Sequence, residues 1–264
     1  MKTLALAVLA ILLPAPSEDG PAVRVEGAQD DAEAKKKRLG ELLRQMNQIQ
    51  AEAEKILREL SGGDDEKAEA IMREVAAKHA PRMAAEMERA QLASNERNAS
   101  ATLKTFATAQ ADFRANDRDA NRINDFWVAD VSGLYRVDTG IPIRLIERAA
   151  AAADAKPCVP LDQEGRVGGT RIMGLEKPSP KAGYWFAAVE KYTDDKGVPV
   201  KYNEGNGRNP IRFGLCAYPA DYEKTGKLTF IVDESNTVWK KDTAGKPVAL
   251  FPTDPRREGW TRMD

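Results

Sequence analysis

Apolar residues recur every three or four positions from Leu39 to Phe113, and beyond residue 126 that period shortens. This switch restricts the fold most, because a 3.6-residue period buries one helix face while a two-residue period buries one strand face. Leu39, Leu42, Met46, Ile49, Ala53, Ile56 and Leu60 form one seam, which Leu43 and Leu57 widen beyond a strict two-stranded coiled coil. Ser61-Gly62-Gly63 stops that helix, and Asp64 or Asp65 can cap the next. Ala68, Ile71, Val75 and His79 share one side of the second helix. At Pro81 a new helix is expected, since proline suits a first turn and breaks an interior. Met83, Met87, Ala90, Ala99, Leu103, Phe106 and Phe113 then continue a stripe to about residue 115, roughly 50 Å at the usual rise.

Downstream, IPIRLIERAAAAADA (141–155) reads as a short amphipathic helix. Four strand-like runs follow: GYWFAAVEKY (183–192), IRFGLCAY (211–218), KLTFIVD (227–233) and TVWKKD (237–242). Asp233-Glu234-Ser235-Asn236 turns the last two into a hairpin. Strands without helices between them form an antiparallel meander, so the fold class is α+β. One sheet face needs a cover, and the Leu103, Phe106 and Phe113 stripe supplies it.

The N-terminus speaks to destination. Met1-Lys2 is a positive start, LALAVLAILL (4–13) is apolar, and Pro14-Ala15-Pro16-Ser17 offers small residues for cleavage after Ser17. A membrane span needs roughly 20 apolar residues, so residues 1–17 read as a cleaved secretory signal, leaving no span behind. Residues 18–34 read as a flexible leader, 35–93 as a coiled-coil-like helical region and 94–264 as an α+β domain. The expected location is the periplasm or the medium. In an oxidising compartment Cys158 and Cys216 either close one disulfide, stabilising by about 4 kcal/mol on the chain-entropy estimate, or are buried as separate thiols. The 40 basic and 41 acidic residues nearly cancel and predict no nucleic-acid partner.

NERNASATLKTFATAQADFRAND (95–117) resembles the segment that follows the membrane helix in many bacterial pilin-like proteins. NDFWVADVSGLY (124–135), KAGYWFAAVEKY (181–192) and FGLCAYPADYEKTGKLTFIVDESNTVWKKD (213–242) resemble uncharacterised exported proteins, common in planctomycetes, with a pilin or type II secretion pseudopilin head. The resemblance covers about residues 94–264 and implies a helix packed on an antiparallel meander. It brings no catalytic residues. The pilin processing site and greasy stem are missing; charged helices from Glu33 to Arg89 stand in their place.

One cluster looks like chemistry. Asp117, Asp119, Asn121 and Asp125 match the alternate spacing of a calcium loop, but Arg122 stands where such loops carry glycine. Arg114, Arg118 and Arg122 also oppose a cation. The competing reading is a polar helix end making local turns. His79 has no nucleophile motif near it, so hydrolase chemistry is not expected. The aromatics Trp127, Tyr135, Tyr184, Trp185, Tyr192, Tyr218, Tyr222 and Trp239 divide between core and surface. The sequence therefore predicts a non-enzymatic exported envelope protein without a cofactor other than calcium. It would act on a protein partner in the envelope or on itself through the N-terminal helices. The alternative is a soluble module binding sugar or peptide with calcium.

Overall fold

The computed structural model describes residues 28–140, 143–194 and 196–263, with side chains from residue 33 onward. The apolar run 4–13, the cleavage site at Ser17 and most of the leader lie outside the described residues. Among those residues no helix is long and apolar enough to cross a membrane. The chain divides into two compact units, residues 1–79 and 80–264.

In the first unit, helix α1 spans Ala28–Ser61. It begins inside the expected leader, because Ala28, Gln29, Ala32, Glu33 and Ala34 are good helix formers and Asp30 and Asp31 suit the positive end of a helix. The seam read from the sequence is present but uncovered: Leu39, Leu42, Leu43, Ile49, Ile56 and Leu60 are all exposed, Ile49 by 67%. Gly62 and Gly63 take left-handed angles that end α1. Asp64 caps the next helix, its Oδ1 accepting the Glu66 and Lys67 N–H groups at 2.9 and 3.1 Å.

Helix α2 runs without interruption over Asp65–Ala115, with Pro81 inside it. The expected restart at Pro81 does not occur. The residues around the ring are exposed, so the carbonyl that loses its amide partner faces water rather than a dry core.

In the second unit the far part of α2 becomes the spine. Ala99, Leu103, Phe106, Ala109 and Phe113 are buried, and the Phe106 ring meets Phe186 edge-on at 5.1 Å. Polar pins fix the helix register. Asn95 Nδ2 donates to Thr225 O at 2.8 Å, and Glu96 Oε1 accepts the Lys227 and Leu228 N–H groups at 3.0 and 3.1 Å. Near the other end the Gln110 amide donates to Trp127 O and accepts from Trp127 N–H.

The sheet that α2 covers is β1 (Tyr184–Ala188), β2 (Gly214–Pro219), β3 (Leu228–Asp233), β4 (Trp239–Asp242) and β5 (Thr261–Arg262). The strands lie in chain order, and every pairing is antiparallel. Tyr184 and Phe186 face the core while Trp185 does not, as the two-residue period requires. The long first strand expected at 183–192 breaks after Ala188. Lys191–Thr193 instead joins a separate small sheet with Pro199–Lys201 and Leu250–Phe251.

The unit also holds two short helices, α3 (Gly133–Arg136) and α4 (Arg148–Ala152), and a three-stranded antiparallel sheet of Val137–Asp138, Thr170–Ile172 and Gly165–Val167. The helix expected over 141–155 is reduced to α4. Glu147 is extended, and Leu145 N–H is spent on Leu134 O at 3.1 Å, so the chain cannot coil earlier.

Candidate functional site

The acidic run forms the loop after α2. Asp117, Ala120 and Arg122 take φ angles of 44°, 56° and 67°, which coil the backbone tightly. Asp117 holds the coil: Oδ1 accepts the Asn121 N–H at 3.0 Å and Oδ2 the Arg122 N–H at 2.9 Å. Arg122 therefore adopts the left-handed angle that glycine supplies in a calcium loop, at a strain cost of about 1–3 kcal/mol. Asn121 Nδ2 donates to Asp119 Oδ2 at 3.0 Å and to Asp125 Oδ2 at 3.1 Å. Three of the four expected ligands thus converge, while Asp117 folds the loop around them.

No spacing or motif in the sequence points to the cluster's cation. Arg208 lies 89 residues from Asp119, and its Nε pairs with Asp119 Oδ2. Its Nη1 donates to Asn206 O and its Nη2 to Thr170 Oγ1, both at 2.5 Å, and the guanidinium stands 4.8 Å over the Trp127 ring. A two-residue ladder sets this position, because Trp127 pairs with Arg208 and Phe126 with Asn209. The Asp119 and Arg208 side chains are 0% and 4% exposed.

One guanidinium does not satisfy the cluster. Among the described residues, the buried side-chain atoms without a hydrogen-bond partner are Asp119 Oδ1 and Asp125 Oδ1. A stranded acceptor costs about 1–3 kcal/mol, and more when it is charged. Burial raises the Asp125 carboxyl above its ordinary range and the neighbouring Asp119 charge adds to that, against the Asn121 hydrogen bond. Two of the three arginines that opposed a cation in the sequence are occupied elsewhere. Arg114 donates to Asn124 O and lies over the Phe126 ring, and Arg118 pairs with Asp112 at 2.6 Å. Among the described residues no group of three or more His, Cys, Asp or Glu is arranged to hold a metal.

A second polar cluster, which no spacing in the sequence suggests, gathers around α3. Asp130 Oδ1 accepts Trp127 Nε1–H and Gly133 N–H, both at 2.8 Å. Its Oδ2 accepts the Ser132 hydroxyl, the Cys158 N–H and the Cys158 thiol. Asp154 accepts N–H groups from Val131, Ser132 and Lys156. Arg136, wholly buried, donates to Met173 O, Ser132 Oγ, Val159 O, Pro160 O and Gln163 O. Gly133 must be small here, since a Cβ would stand 2.1 Å from Trp127 Nε1. Each carboxylate oxygen and guanidinium N–H in this cluster has a protein partner, so it clamps the fold rather than presenting reactive groups.

Cys158 and Cys216 are free thiols. The disulfide alternative is not realised, because Cys158 Sγ points to Asp130 while Cys216 sits mid-strand in β2 opposite Ala187 and Ile231. Cys216 is buried and its thiol is raised to about 11, whereas Cys158 is an exposed residue, so the alternative of two buried thiols holds only for Cys216; partial desolvation of the Cys158 thiol and the Asp130 charge raise it. Neither is a thiolate nucleophile at neutral pH. His79 is exposed on α2. Trp127 and Tyr184 are core residues. Arginines cover three of the remaining rings: Arg144 over Tyr135, Arg212 over Tyr192 and Arg256 over Trp239.

The family described as "Protein of unknown function (DUF2950)" matches residues 25–251 of the chain. No curated protein and no solved structure matches it.

Proposed function

The chain belongs to this family of unknown function, and from that premise we propose that it is a non-enzymatic, exported interaction module of the cell envelope. In this reading the α+β unit is a pilin-like head, and the N-terminal helices associate with a second copy or with an envelope protein. The observation that carries it is the uncovered seam of α1, where Leu39, Leu42, Leu43, Ile49, Ile56 and Leu60 repeat at helical spacing and remain exposed. A helix face of this kind gains its stability by burial against another apolar surface. Support for the head comes from the spine of α2 against an antiparallel meander and from the resemblance at residues 95–117.

Light scattering coupled to size-exclusion chromatography of the full chain is the test. Association that rises with concentration is expected, and the Leu42→Glu, Ile49→Glu double variant should lose it. The same double variant should lose any protein captured from envelope extract. A monomer at every concentration that captures nothing refutes the reading.

A further inference from the structure

We propose that the loop between residues 117 and 125 binds a hard divalent cation, calcium, through Asp119 Oδ1 and Asp125 Oδ1, with neutral oxygens and water completing the shell. The two oxygens are the observation that points to a ligand. Both residues are more than nine-tenths buried, at 6% and 4% exposure, and neither oxygen has a hydrogen-bond partner. Buried acceptors are matched by a donor or a cation. The other oxygen of each carboxylate is already held by the Asn121 amide, which donates to both and so keeps the two groups side by side.

The charge balance favours a cation. The two buried carboxylates, Asp119 and Asp125, oppose a single buried guanidinium, that of Arg208, while Arg122 of the same loop is exposed to water. Arg208 cannot turn to the stranded oxygens, because Asn206 O and Thr170 Oγ1 fix its other nitrogens and Trp127 flanks it. Arg114 and Arg118 are bound to their own partners. Calcium suits such a site better than magnesium, since it accepts irregular shells of carboxylate, amide and water oxygens while magnesium demands a near-ideal octahedron. Two carboxylates beside an arginine make a weak site, of the order of 0.1–1 mM as in extracellular modules. The proposal stands whether or not the chain self-associates.

The test uses the full chain after chelator treatment, with calcium chloride followed by calorimetry and terbium chloride by luminescence excited through tryptophan, Trp127 being the ring stacked on Arg208. One site per chain is expected, with terbium emission that excess calcium quenches and magnesium at equal concentration does not. Asp125→Asn keeps the side-chain shape and should weaken calcium at least about tenfold, while the metal-free protein keeps or raises its urea midpoint because a stranded buried charge is removed. No heat and no sensitised emission up to about 10 mM, well above that affinity range, overturns the proposal and assigns the two oxygens to water. Equal calcium binding by Asp125→Asn overturns it as well.

Discussion

Replacing Arg136 should unfold the second unit more readily than any surface change, and the reason can be worked through atom by atom. The side chain is wholly buried, and its five N–H groups donate to five acceptors at 2.7 to 3.2 Å. Four of these are carbonyls, of Met173, Val159, Pro160 and Gln163, so the guanidinium ties α3 to both ends of the segment that carries the Gly165–Val167 and Thr170–Ile172 hairpin. Its charge also faces the buried carboxylates of Asp130 and Asp154. In Arg136→Met the aliphatic volume stays, yet the acceptors lose their donors and the carboxylates lose their cation. Breaking a buried charged partnership costs about 3–5 kcal/mol. A loss of about 4 kcal/mol is therefore expected, roughly a thousandfold in the folding constant. Arg136→Lys retains the charge but has only three donors, so it should cost about half as much. Urea unfolding followed by tryptophan fluorescence reads this unit alone, because Trp127, Trp185, Trp239 and Trp260 all lie within it. A Met variant within 1 kcal/mol of the parent, well inside the about 3–5 kcal/mol expected, would show that the acceptors rehydrate freely and that the clamp is dispensable. A Lys variant as damaged as Met would mean geometry, not charge, carries the effect.

Two further outcomes follow from the same structure. Burial and the Asp130 charge raise the Asp154 carboxyl to about 7 from 3.8, so the folded state keeps a proton that the unfolded chain has released. Stability should then fall as pH rises from about 4 to about 7, by up to 1.4 kcal/mol per unit, and level off above that; urea midpoints across this range should flatten in Asp154→Asn. For the buried Asp119–Arg208 pair, Asp119→Ala and Arg208→Met should each cost about 3–5 kcal/mol, and the double variant clearly less than their sum. Additive losses in the urea cycle would mean that the two side chains do not act as a pair.

What the sequence determined by itself is what short-range physics controls. The helical spacing of the α1 seam, though not its burial, the Asp64 cap, the glycine stop at 62–63, the alternation of Tyr184, Trp185 and Phe186, and the 233–236 turn depend on neighbours within a few positions, and all appear in the structure. The stripe at Leu103, Phe106 and Phe113 was legible for the same reason, since a helix facing a sheet must be apolar on that side. The sequence also placed Asp119, Asn121 and Asp125 in one loop, but it misjudged the arginines. Arg114 and Arg118 are turned away by Phe126 and Asp112, and only packing reveals that.

Tertiary structure decided the rest. It reduced the helix expected over 141–155 to α4, because the Leu145 N–H is spent on Leu134 O. It set Arg208 against Asp119 across 89 residues through a two-residue ladder, and it gathered Asp130, Asp154, Arg136 and Cys158 around α3. Such contacts have no period and no fixed spacing. They arise because buried charges must find partners wherever the folded chain brings them close, and closeness in space is settled only after the core has formed.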